Sequence, residues 1–223
     1  MLHVSTIALL LALGASKPLD GVPLRWKPTE STAKVLNQAA RAFKEKKVQL
    51  LPFTDAREDR ALIGRNTEDK TPKDVTTRDD VGAWCSGRLA ELLEQAGVPV
   101  VTEGAEFVIS GQVTRFMVDE SDRYRGAVSL KLSVRDGAGQ ELWSGLVSGD
   151  SDHFGRSYKE ENYMEGLSDS FLGAASGLFT DPDLVAEVQE RRSAADQPPP
   201  GSSSADPGPG ARSRSSTGGG VSR

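Results

Sequence analysis

A carboxylate and a guanidinium stand two positions apart at Asp55 and Arg57, just after the apolar run Val48-Gln49-Leu50-Leu51-Pro52-Phe53. Open α/β sheets place ligand-contacting loops beyond strand ends. The first candidate chemistry is therefore recognition: a carboxylate–guanidinium pair organising a partner-binding loop, with Gly64 further along the same polar stretch. The competing reading is a turn-capping aspartate with its arginine paired or solvated.

The other reactive side chains offer less. Cys85 falls on the apolar face of a helical pattern beside Trp84. A nucleophilic thiol needs a neighbouring base or an electropositive setting, and neither is in view, so a buried structural cysteine is expected. His153, in Ser151-Asp152-His153-Phe154-Gly155, is the one histidine besides His3. With no second histidine it makes a poor metal site, and a surface-loop histidine past a strand is expected. Asp119, Glu120 and Asp122 with Asp150 and Asp152 carry oxygen ligands suited to calcium, but their spacing is not that of an EF-hand loop. A solvated hairpin turn is the expectation. Gly-x-Ser-x-Gly, the P-loop and the dinucleotide fingerprint are absent. No catalytic residue, metal site or cofactor is assigned, and the chain reads as a non-enzyme.

The elements that must position these residues form an α/β pattern. Residues 30–47 carry Ala33, Val35, Leu36, Ala39, Ala40 and Phe43 near helical spacing, with Ser31 or Thr32 to cap. Residues 48–53 read as a short strand, and 54–73 as a long polar connection of the kind that binds or moves. The clearest helix is 78–96, with Val81, Trp84, Cys85, Leu89, Leu92, Leu93 and Ala96 on one face. Thr76 with Asp79, or Thr77 with Asp80, would form a capping box, and Gly97 suits the position past the end. Strands are expected over 98–102, 106–118, 127–135 and 140–148, the last two joined by the turn Asp136-Gly137-Ala138-Gly139. In 127–135, Val128, Leu130, Leu132 and Val134 alternate with Ser129, Lys131, Ser133 and Arg135, which means one buried and one wet face. A helix follows over 159–179, and Asp181-Pro182-Asp183 starts a short one. The fold class is α/β in the α+β sense: a single mixed, largely antiparallel sheet with helices packed mainly on one face.

Several short motifs together resemble small bacterial envelope lipoproteins of the YajG-like kind. They are the strand 48–53 with Asp55-Ala56-Arg57 and Ile63-Gly64, then Leu92-Leu93-Glu94-Gln95-Ala96-Gly97. Phe107-Val108-Ile109-Ser110-Gly111 and Asp136-Gly137-Ala138-Gly139-Gln140-Glu141-Leu142-Trp143 complete the set. The resemblance covers roughly residues 45–180. It implies a periplasm-facing α/β domain without enzymatic activity that serves envelope assembly or transport as an accessory.

The chain ends agree with an exported protein. Val4, Ile7, Ala8, Leu9, Leu10, Leu11, Ala12 and Leu13 form an apolar run closed by Gly14, Ala15 and Ser16. That is a signal-peptide length, short of the roughly 20 residues of a membrane span. Leu13-Gly14-Ala15-Ser16 has the shape of a lipobox with serine where the lipidated cysteine belongs, so no covalent lipid anchor is expected. Residues 197–223 are mostly Pro, Gly and Ser and are expected to be a solvated, disordered tail. The division is a signal peptide 1–16, an N-terminal extension with a helix 17–46, an α/β envelope domain 47–182, a short helix 183–196 and the tail. A net charge of −5 with pI near 5.2 argues against nucleic acid as a partner. The expectation is a periplasmic or secreted, non-catalytic accessory that binds an envelope protein partner or self-associates, including peripherally on a membrane complex. The alternatives are a small-ligand or lipid carrier, or a hydrolase using carboxylates such as Asp55. A carrier would need a cavity between helices and sheet.

Overall fold

A computed structural model describes residues 18–155 and 157–195. The expected signal segment 1–16 and tail 197–223 lie outside the described residues. The elements run α1 (Ala33–Ala42), β1 (Val48–Leu50), β2 (Thr54–Asp55), β3 (Leu62–Asn66), β4 (Lys73–Thr76), α2 (Val81–Gln95), β5 (Phe107–Glu120), β6 (Arg123–Asp136), β7 (Glu141–Phe154), α3 (Glu160–Thr180) and α4 (Pro182–Ala195). One mixed sheet carries the order β4-β3-β5-β6-β7. Its long strands are antiparallel, and the helices cover one face, as the alternation in 127–135 requires.

The strand β5 is the pivot. One side pairs antiparallel with β6. Along the other, β1, β2 and β3 lie end to end and parallel, with Val48 opposite Phe107, Thr54 opposite Gln112 and Gly64 opposite Val118. Pro52 has no N–H to donate, which helps break this edge into pieces. The stretch 54–73 is thus not one long connection, a correction to the sequence reading. It holds β2 and β3, whose two and five residues are too short and too polar to show a period. Residues 98–102 form no strand either. Val100 makes a single parallel bridge to Val48, and Pro99 cannot donate to extend it. Three strands instead run further than expected, β5 to Glu120, β6 back to Arg123 and β7 to Phe154.

The first helix ends at Ala42, short of the expected 47, and Glu45 takes a φ of 60° just beyond it. In α2 the cap is Asp80, which accepts from the Ala83 N–H at 2.9 Å; no threonine caps it. Thr77 Oγ1 instead accepts from the Asp79 N–H at 3.2 Å, turning the chain into the helix. The far end is a Schellman closure, with Gly97 N–H to Glu94 O, Val98 N–H to Leu93 O and Gly97 at φ 79°. The long helix α3 crosses β6 and β7, and meets the sheet closely where Gly149 faces Gly173 and the Ser170 carbonyl, a contact that leaves no room for a Cβ.

Between helices and sheet the space is filled by side chains of one cluster, among them Phe43, Phe107, Phe116, Phe171, Leu89, Leu130 and Leu132. Segments outside 47–182 share it, through Val22, Val35, Ala39, Leu184 and Val188. The N-terminal segment lies as a strap. Val22 N–H donates to Thr76 O and Thr76 N–H to Leu19 O, which covers the β4 edge. Further on, Trp26 packs its ring 6.0 Å from Trp84 and 6.1 Å from Phe171, and Thr29 N–H donates to Asp169.

Candidate functional site

Asp55 and Arg57 come together as a fork. Arg57 Nε donates to Asp55 Oδ1 at 2.9 Å and Nη2 to Oδ2 at 2.7 Å. The remaining donors go to backbone: Nη1 to Leu62 O at 2.6 Å and Phe116 O at 3.1 Å, Nη2 to Arg60 O at 2.6 Å. A guanidinium has five N–H groups, and all five are spent inside the chain. Both side chains are more than nine-tenths buried, at 8% and 9% exposure, and the guanidinium lies 5.7 Å from the Phe116 ring centre. Burial pushes the Asp55 carboxyl up, but hydrogen bonds from the Arg57 side chain and backbone, with the charges of Arg57 and Arg60, outweigh it and hold the group below its ordinary value. The pair organises the turn between β2 and β3 by tying it to β5. Gly64 sits apart from the pair, where β3 passes under the ring of Tyr163 so closely that a Cβ would collide with it.

An open cleft of about 480 Å³ lies beside this turn, lined by Phe53, Thr54, Asp55, Arg60, Asp79 and Asp80, among others. Its acids and arginines are mixed, and among the described residues no buried, unpartnered polar atom belongs to its lining.

Three expectations for single residues need revision or detail. His153 is not on a surface loop: it is on β7, turned to the helix side, 28% exposed and with Nε2 3.1 Å from Asp169 Oδ2, too poorly aligned for a hydrogen bond. The strand outruns the pattern seen in the sequence, and that carries His153 under α3. Glu120 is not in a solvated turn: it is fully buried. It accepts from Tyr163 OH at 2.5 Å, Tyr158 N–H at 2.8 Å and Ser157 N–H at 3.1 Å. Burial raises its carboxyl, yet bonds from Tyr163, Tyr124, Asn66 and the Tyr158 backbone more than compensate and leave it below its usual range. The phenol of Tyr163 is pushed up by burial and by the Glu120 bond and charge. Cys85 is fully buried in the core cluster, and burial drives its thiol upward. Of the remaining acids, Asp122 pairs with Arg125 at 3.3 Å and Asp152 with Arg123 at 2.5 Å. Among the described residues no group of three His, Cys, Asp or Glu could hold a metal.

The feature that sequence reasoning missed is the set of exposed apolar side chains on the uncovered face of the sheet. Among the described residues the large exposed apolar side chains are Leu51, Leu146 and Phe154, at 39%, 65% and 89% exposure. Leu146 and Phe154 share the phase of Ser144, Ser148 and Asp150, the side of β7 turned away from the helices. Leu51 and Pro52 wall a second open cleft of about 480 Å³ whose floor includes Ser110, Gln112, Lys131 and Ser133. The signal was present in the 140–148 strand: Leu146 sits in the polar phase.

No protein-family model matches the chain, and no curated protein matches it. Solved structures do. A DUF330 protein from Xanthomonas campestris is similar over 78% of this chain and 98% of its own, at 9% identity and a TM-score of 0.47. A candidate lipoprotein from Caulobacter crescentus is similar over 71% and 98%, at 11% identity and a TM-score of 0.42. A lipoprotein from Neisseria meningitidis is similar over 51% and 88%, at 16% identity and a TM-score of 0.33. Each is a protein this chain is similar to, and none supplies a role for a residue. No helix of the described residues is long and apolar enough to cross a membrane.

Proposed function

We propose that this protein is a non-catalytic interaction module of the bacterial cell envelope, exported to the periplasm or beyond and docking a protein partner or a second copy on the open face of its sheet. The YajG-like motifs and the apolar run in residues 1–16 support the address. The observation that carries the docking reading is the collection of Leu51, Leu146 and Phe154 on the one face no helix covers. Aromatic side chains such as Phe154, 89% exposed, are enriched where protein surfaces meet. The filled space between helices and sheet speaks against a carrier, and the internal use of every Arg57 donor speaks against chemistry at Asp55. That pair holds the turn beside the docking face in place.

The test is site-specific photo-crosslinking in cells that make the full chain, with the crosslinker at Leu146 or Phe154 and, as control, at Glu94 on α2. A discrete adduct from the sheet positions alone supports the reading, its mass separating a partner from a second copy. Background at all three positions overturns it. Fractionation with intact mass tests the address: a species beginning near residue 15–17, without lipid mass, is expected outside the cytoplasm.

A further inference from the structure

The ladder beside β5 is interrupted at the open-face cleft. Pairing with β1 ends at Leu50 opposite Ile109 and resumes with β2 at Thr54 opposite Gln112. Leu51 still donates its N–H to Ile109 O at 2.9 Å, but Pro52 has no N–H to carry the ladder on. Ser110 and Gly111 therefore have no register partner on that side, and the cleft of about 480 Å³ walled by Leu51 and Pro52 opens there.

The polar groups of this cleft are unequally used. On its far wall Glu141 is already satisfied, accepting from Ser133 Oγ at 2.8 Å and Ser144 Oγ at 3.2 Å. Those two hydroxyls hold its carboxyl below the ordinary value, helped by the charges of Arg135 and Lys131. The donors are not used. Lys131, Ser110 and the Gln112 side chain line the same cleft, and among the described residues they make no hydrogen bond or ion pair. Arg135, opposite Glu141 in the β6–β7 register, makes none either. Two cations thus stand beside one carboxylate that hydroxyls already hold, and the cleft has donors left to give and no acceptor.

Apolar side chains flank these donors. Leu51 stands on one wall, and Leu146 lies opposite Lys131 in the β6–β7 register. From Leu51, in line with β1, to Leu146 on β7 is three strand spacings, about 14 Å, and four residues of extended chain span about 13 Å. A segment lying across the strands reaches both leucines with its first and fifth side chains. Its third side chain shares their face and falls between them, where Lys131 and Gln112 are.

We infer that this cleft takes an acidic segment of a protein partner, with a carboxylate at Lys131 and Gln112 and apolar side chains two positions to either side at Leu51 and Leu146. The inference rests on the open face being a docking surface and supplies the chemistry of what docks. Charge complementarity sets the choice of partner: a basic segment would meet Lys131 and Arg135 with no free carboxylate to receive it.

The experiment is an NMR titration of the full chain, read at the amides of residues 110–112 and 131. The probes are acetyl-Leu-Ser-Glu-Ser-Leu-amide and the same peptide with Gln in place of Glu. The Glu peptide is expected to give saturable shifts at these amides. The Gln peptide should bind about threefold to fivefold more weakly, the scale of one exposed ion pair. Lys131→Ala should remove that preference and Lys131→Glu should reverse it. Leu51→Ser should weaken both peptides about fourfold, one buried methylene's worth, and leave the preference intact. Equal binding of the two peptides, a preference that survives Lys131→Ala, or no shifts with either peptide overturns the proposal. So do shifts at the same amides that grow with protein concentration alone, which would assign the cleft to a second copy. In cells, a crosslinked adduct at Leu146 that forms equally well in the Lys131→Glu chain overturns the acidic partner and leaves the docking reading standing. Lys131-dependent peptide binding without any adduct supports the cleft's preference and fails the docking reading.

Discussion

Arg57 has no donor left to offer a partner, so its contribution is to the shape of the turn it ties to β5. Replacing it by Met leaves Asp55 buried without its ion-pair partner, and a buried ion pair broken from one side costs about 3–5 kcal/mol. Chemical denaturation of Arg57→Met should show a loss of that order, and Arg57→Lys should recover only part of it, because an ammonium cannot reproduce the fork. Gly64→Ala should cost about 1–3 kcal/mol through overpacking against Tyr163, with the Tyr163–Glu120 bond disturbed. Restoration of stability by a smaller residue at Tyr163 would confirm that the clash is the cause. At this scale the Asp-x-Arg pair was visible in sequence as a pair, because its members are two positions apart. That Phe116 O would accept one of its protons was not visible, since the two residues are brought together only by the β2–β5 register.

At the scale of elements, α2 is specified locally at both ends. Asp80→Ala removes the acceptor of the Ala83 N–H and should cost about 1 kcal/mol. Gly97→Ala, forced to a φ of 79°, should cost about 1–2 kcal/mol. Thermal or urea unfolding of the two single variants and the double measures both, and the two effects should add because the sites lie at opposite ends of the helix. The long helices and the β6–β7 hairpin were legible because their periods repeat many times. The short strands β2 and β3 were not, because two to five residues give no period, and their strand identity comes from β5 alongside them. His153 reads as a loop residue in the sequence for the related reason that pairing with β6, as far as Phe154 opposite Arg123, is what extends β7.

For the whole molecule, two buried carboxylates contribute to the acid limit. Asp55 and Glu120 are held below their ordinary values of 3.8 and 4.5, so the unfolded chain takes up their protons first as pH falls. Their contribution to stability is complete above about pH 4.5 and is lost as pH drops through the lowered values. Unfolding free energy should be flat in this respect from neutral pH to about pH 5 and then fall, and Glu120→Gln should flatten part of the acid slope while lowering stability at neutral pH. A slope unchanged by Glu120→Gln would remove Glu120 from the account. On the open face, Leu146→Ser and Phe154→Ser should leave stability within about 0.5 kcal/mol, as surface changes do, while abolishing the crosslinked species. That separation marks a docking surface, because side chains that already face water contribute little to the monomer.

The sequence by itself determined the amphipathic helices, the alternating strands, the one-sided sheet and the candidate pair Asp55 and Arg57, since all of these rest on spacing along the chain. Only the tertiary structure decided that Arg57 is fully spent internally, that Glu120 is buried beneath Tyr163, that the strap seals one edge of the sheet and that Leu146 and Phe154 face outward together. Those facts depend on which strands lie side by side and which face the helices cover, and such long-range neighbours leave no local period to read.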